Sequence, residues 1–299
     1  MSKEQILNEN QFLDFSTSKV QSITLDQLRK TQREKDPKGM PLKGIYHYDL
    51  IDNVIDTANS LGYKAEVFDL FAAQNKGSVQ FPGVTLSDEL EKIYGQRAVQ
   101  AHTLRRVFAN IRLLDFDTDE YTTNLSIAFH QGGIQAGFGN NVIICHNQCM
   151  LSASQYAATY SENGGEKYDI PQMLELIKGW LVDARCIVEN DRERIAKMKA
   201  ITVPAARTLQ VIGSLTANRV AHDSKNQDIK QRGYYPLNQS QISTFTEDLL
   251  LRHAKNDKVT VWDLYDAATN LYKADLMDVT AIMPQNRAFV EFLENEFAI

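Results

Sequence analysis

Cysteine is scarce in this chain. Only Cys145, Cys149 and Cys186 occur, an odd count. That excludes a disulfide-stapled scaffold and fits free thiols in a reducing compartment. Long apolar runs are missing as well. Nothing approaches the roughly 18 consecutive apolar residues that suggest a membrane span. The N-terminal "MSKEQILNEN" lacks the basic and apolar regions of a secretory signal. The expectation is a soluble, cytoplasmic protein without membrane attachment. An excess of positive charge is also lacking, since 32 Lys plus Arg face 38 Asp plus Glu, a net charge of -6. Nucleic-acid binders draw most of their affinity from phosphate contacts, so this balance disfavours a polyanionic partner. A protein partner or a small ligand is favoured instead.

Phosphate-binding and nucleophile signatures are absent too. No G-x-x-x-x-G-K-[ST] run occurs. Gly137-x-Gly139 is followed by Val142, where a dinucleotide fingerprint needs Gly or Ala. No G-x-S-x-G elbow exists for an acyl-transfer nucleophile. Cys145 beside His146 is no dyad, because adjacent strand residues point to opposite faces.

What is present is an ordinary globular composition, 43% apolar and 23% charged, enough for a core without metal or disulfide. Residues 1–44 are polar, closing on "REKDPKGMPLKG", and read as an N-terminal arm or linker. A sheet-rich domain is expected over 45–165 and a helical section over 166–299. The fold class is then α+β, with a mixed, mostly antiparallel sheet first and helices second.

The pattern tightens at "YDLIDNVIDTANSLG". Leu50, Ile51, Val54, Ile55 and Ala58 fall at helical spacing and Gly62 supplies a C-cap. "YKAEVFDLFAAQ" predicts a strand with Ala65, Val67 and Asp69 alternating against Lys64, Glu66 and Phe68. "RAVQAHTLRRVFANIRLLDFD" predicts one long strand or a hairpin turning at Ala109-Asn110. "TTNLSIAFHQ" alternates Leu125, Ile127 and Phe129 against Asn124, Ser126, Ala128 and His130. Gly132-Gly133 then reads as a two-residue hairpin turn. Gly137 and Gly139, with Asn140 after them, mark crowding relief or a bulge in the returning strand. From Ile170 to Ile201 a single long amphipathic helix is predicted. Shorter helices follow over 204–222, 240–255 and 260–274, the last opened by the capping box "TVWD", and a final one begins at Pro284.

Chemistry-bearing clusters are few. Cys145, Cys149 and His130 include ligands that zinc accepts, but Cys-x₃-Cys without a second pair is not finger spacing, so the expectation is no metal and no cofactor. Asp115, Asp117 and Asp119 resemble the start of a calcium loop. Glu120 sits where the turn needs Gly, so a solvated loop is expected, with a carboxylate-metal nuclease as the alternative. No catalytic constellation emerges. The surfaces are more informative. Lys230, Arg232, Tyr234 and Tyr235 share a Gly-Pro loop suited to anchoring a protein interface. Arg105, Arg106 and Arg112 form the candidate nucleic-acid set.

The segments "NLSIAFHQGGIQAGFGNNVIICHNQCMLSASQYAATY", "MLELIKGWL", "VTVWDLYDAATNLYK" and "IMPQNRAFVEFL" together resemble a family from Bacteroidetes genomes, their phages and mobile elements. The chain is more distantly similar to the phage/plasmid-like protein family, from whose pattern it departs at Asp266, where Asn is usual. The likeness spans roughly residues 45–297. It implies a mobile-element setting, in a host cell's cytoplasm, and carries over no catalytic residue. Joined to the missing chemistry, it leads to the expectation of a non-enzymatic, self-associating interaction protein that inhibits a host anti-phage nuclease complex. The alternative is a single-stranded DNA-binding or annealing protein of phage recombination.

Overall fold

The computed structural model describes residues 13–31, 47–81, 88–99, 106–130, 133–142, 158–161, 170–225, 236–255, 258–272 and 282–299. The first elements are β1 (Leu13–Asp14), β2 (Val20–Ser22), α1 (Leu25–Thr31), α2 (His47–Ser60), β3 (Ala65–Ala73), β4 (Val79–Gln80) and α3 (Asp88–Tyr94). Then come β5 (Ala98–Val99), β6 (Arg106–Leu113), β7 (Tyr121–His130), β8 (Gly133–Val142) and β9 (Ala158–Ser161). Helices complete the chain: α4 (Ile170–Val182), α5 (Ala184–Ala200), α6 (Ala205–Lys225), α7 (Gln239–Ala254), α8 (Val261–Thr269) and α9 (Ile282–Phe297). The class is α+β, with an antiparallel sheet in the N-terminal half and helices in the C-terminal half, as predicted.

A six-stranded sheet has the order β2-β3-β6-β7-β8-β9, and β1-β4-β5 form a smaller sheet. The pairs β2–β3, β3–β6 and β8–β9 are antiparallel. In the small sheet β4–β5 is parallel. The chain divides into two compact units. One comprises Met1–Asp115, Leu125–Ala136 and Ala158–Val182; the other comprises Phe116–Asn124, Gly137–Ala157 and Asp183–Ile299. The units interleave along the sequence, unlike the consecutive blocks expected from composition.

In the first unit, α2 forms because Leu50, Ile51, Val54 and Ala58 recur at helical spacing, and each is at most 1% exposed. Burying Leu50, Ile51 and Val54 stabilises by about 1.5–3 kcal/mol apiece relative to solvent. The helix stops where Tyr63 N–H donates to the Ala58 carbonyl at 3.1 Å and Gly62 turns left-handed at φ 89°. It packs on β3 and β6. There Leu70, Ala72, Val107, Ala109, Ile111 and Leu113 are buried. β6 is a strand without a turn at Ala109-Asn110.

Residues 13–31 are not an arm. They form β1, β2 and α1, with Leu13, Phe15 and Leu28 fully buried. The Lys-Pro-Gly cluster that suggested a linker lies after this segment. A capping box opens α1: Gln27 N–H donates to Thr24 Oγ1 at 3.2 Å and Thr24 N–H to Gln27 Oε1 at 2.8 Å.

The helix predicted as continuous from Ile170 ends with the first unit at Val182 and starts afresh at Ala184, in the second unit, because Asp183 leaves helical geometry at φ -88°, ψ 5°. The apolar stripe does not betray this break: Ile177, Leu181, Ala184, Ile187 and Val188 keep their spacing through it, and all are buried. The box "TVWD" does form. Asp263 N–H donates to Thr260 Oγ1 at 3.3 Å and Thr260 N–H to Asp263 Oδ2 at 2.7 Å. Asn238 and Gln241 make the same device at the start of α7. Arg252, at the end of α7, reaches Asp248 at 3.0 Å, Asp263 at 3.2 Å and Asp266 at 3.2 Å, tying α7 to α8. The buried Tyr265 hydroxyl donates to Asn286 Oδ1 at 2.9 Å and joins α8 to α9.

Candidate functional site

The register of β3 against β6 slips between Val67 and Asp69, a β-bulge centred on Phe68. An extra residue at this point changes the parity of everything after it. Inward apolar positions are Leu70 and Ala72 beyond the bulge, even numbers, where the clean alternation from Ala65 and Val67 would have continued odd. Asp69, expected on the core side, therefore falls on the opposite face beside Phe68. Two contacts with β6 establish this. The Arg112 guanidinium carbon stands 5.1 Å from the Phe68 ring centroid. The Asn110 amide donates to Asp69 Oδ2 at 3.5 Å. Arg106, Phe108, Asn110 and Arg112 share this face of β6 by alternation.

Phe68 is 50% exposed, unusual for a large aromatic at the second strand of a sheet. Its ring lies under a cation, an arrangement worth about 0.5–1 kcal/mol at a surface, so it is held rather than freely rotating. Arg106 and Glu66 are exposed and Arg112 is half-buried. Alongside this patch, on the same face, runs a polar line: the Ser126 hydroxyl of β7 donates to Asn110 Oδ1, and Asn110 donates onward to Asp69. Ser126 and Asn110 are 1% exposed. Burial pushes the Asp69 carboxyl above its usual range, opposed by the hydrogen bond from Asn110. The result is a half-exposed aromatic, a stacked arginine and charges of both signs on a rigid two-strand base.

The other anticipated residues fare differently. Arg106 and Arg112 lie on one face, while Arg105 lies outside the described residues. So do Lys230, Arg232, Tyr234, Tyr235, Gly132, Cys145 and Cys149, and so does the side chain of His130. Gly133 opens β8, which also carries Gly137 and Gly139 in buried positions. Asn140 is structural: its Oδ1 accepts from Thr123 Oγ1 at 2.9 Å, and its amide donates to the Val188 carbonyl at 3.2 Å and Asp191 Oδ2 at 3.4 Å. Asp115 accepts from the Lys64 backbone N–H. Among the described residues, no three His, Cys, Asp or Glu side chains converge as metal ligands. Thr208 Oγ1 and His253 Nε2 are 2.8 Å apart, but Thr208 is fully buried and out of a substrate's reach. No helix among the described residues is long and apolar enough to cross a membrane.

Sequence reading found the two arginines and missed Phe68, Asp69, Asn110 and Ser126. The signal lay in "VFDL", where two residues instead of one separate the inward Val67 and Leu70. No family model, no curated protein and no solved structure matches the chain.

Proposed function

We propose that this chain is a non-enzymatic binding protein whose working surface is the Phe68–Arg112 face, and that its partner is a protein. The observation that carries the reading is the half-exposed Phe68 held under Arg112 on a bulge. Aromatic and arginine anchors on a rigid base are what concentrate binding energy at protein interfaces. The charges favour a protein over a polyanion. Around Phe68, Arg112 is offset by its cross-strand partner Glu66 and by Asp69, while Arg106 lies at the other end of β6 opposite Ala73, so the patch offers no net attraction to phosphate. The mobile-element resemblance makes a host anti-phage nuclease complex the expected class of partner, with self-association adding surface through avidity.

Capture from host cells with the full chain tests this. Wild type is expected to retain a protein partner that Phe68→Ala releases, with binding weakened at least about tenfold, since an anchor residue is worth more than 1.4 kcal/mol. Filter binding of single-stranded DNA that is strong at low salt and steeply lost on adding salt would replace this reading with the nucleic-acid one.

A further inference from the structure

Beside the same patch, β3 has an incompletely paired outer edge. β2 covers only its end, with Val20 opposite Ala73, Gln21 opposite Ala72 and Ser22 opposite Phe71. The last rung is the Ile23 N–H donating to the Leu70 carbonyl at 2.8 Å. Beyond it, among the described residues, no strand pairs with the outer side of Ala65–Asp69, although the inner side is paired with β6 at every residue but the bulged Phe68. The side chains agree, since none from Ala65 to Asp69 is buried, whereas those from Leu70 onward mostly are. An edge of this kind presents backbone donors and acceptors in a line that an extended chain satisfies and a helix or a compact surface does not.

We infer that the partner docks by adding an extended strand to β3, continuing the line of β2 past Ser22, with Phe68 as its side-chain anchor. This rests on the protein-binding reading above and names the form the partner takes. The open stretch, from Ala65 to Asp69, spans about 17 Å and takes about five residues of extended peptide at roughly 3.3 Å each. Phe68, half-exposed on the face that carries Arg112, is the side chain this stretch offers to a residue of the new strand. A large apolar or aromatic residue is therefore required there, on the face that carries Arg112. The bulge also sets the selectivity of the edge. It breaks the regular register that would otherwise accept any strand, so a flat β-prone segment pairs poorly and a peptide matched to the irregularity pairs well.

Random peptides selected on the full chain provide the probe. Selected peptides are expected to carry an apolar or aromatic anchor, to lose at least about tenfold in affinity on Phe68→Ala, and to slow amide hydrogen exchange over residues 65–69. N-methylation at alternate peptide amides abolishes binding, while methylation at the intervening ones does not. Peptides that tolerate methylation at every amide, or that leave exchange in β3 unchanged, overturn strand addition. So does concentration-dependent protection of β3 in the protein alone, which would assign the edge to a second copy. If no peptide is selected while Phe68 still governs capture of a protein partner, strand addition falls and the binding reading stands. If Phe68 governs neither, both fall.

Discussion

His47 opens α2 with its partly buried ring 4.2 Å from that of Phe129, and desolvation lowers its pKa to about 3. The unfolded chain binds a proton near pH 6.5, and the folded chain refuses it until about pH 3. His47 therefore contributes its full stability above pH 6.5 and loses it progressively as pH falls toward 3, at about 1.4 kcal/mol per pH unit. Denaturant melts at pH 7 and pH 5 should show a larger loss for wild type than for His47→Gln. Parallel profiles would remove the histidine from the account. Asp69 has the opposite sign. Its raised pKa means the folded state favours the neutral carboxyl, so stability declines as pH rises through that value. Asp69→Asn still accepts from Asn110 and carries no charge to desolvate. It should be as stable as wild type or slightly more so at neutral pH, with the difference vanishing in acid; a clear loss at pH 7 would show that the ionised carboxylate is required.

At the scale of elements, stability in the second unit depends on how helix ends are closed. Asp263 does two things: it completes the cap of α8 and it accepts from Arg252. Thr260→Ala removes one side of the box and should cost about 1 kcal/mol. Asp263→Ala removes the cap and an ion-pair partner together and should cost about 2 kcal/mol or more. The double variant should cost less than the sum, because both changes undo one box. Strict additivity in urea melts would mean that the two side chains act independently. Elements are also where sequence and structure part company. Regular ones were legible: α2, α7 and α8 announce themselves through apolar spacing and caps. Irregular ones were not. The pause at Asp183 leaves the apolar stripe in phase, and the bulge at Phe68 shifts parity by one residue, within the ambiguity of any short strand.

For the molecule as a whole, composition and period sufficed for the class and for most helices, because burial of one face imposes a period that survives in the sequence. The candidate surface was only half visible. Arg106 and Arg112 stand out as charges in an apolar run, while Phe68 is written like any core residue and becomes distinctive only once β6 sets its register. The N-terminal elements were hidden by their polar spacing, since β1 and β2 hold two and three residues. Such short strands carry almost no periodic signal of their own, and their pairing partners lie some 50 to 70 residues away along the chain.

The backbone passes from one unit to the other after Asp115, Asn124, Ala136, Ala157 and Val182. A protease that nicks the link between Val182 and Asp183 would thus liberate nothing. The downstream piece would stay fastened to the upstream one through Arg192 on the Phe116 carbonyl, Lys199 on Glu120 at 2.7 Å, and the Asn140 amide on Val188. Gel filtration of the clipped protein should give a single peak containing both fragments. The same interleaving means that neither unit corresponds to one continuous stretch of the gene.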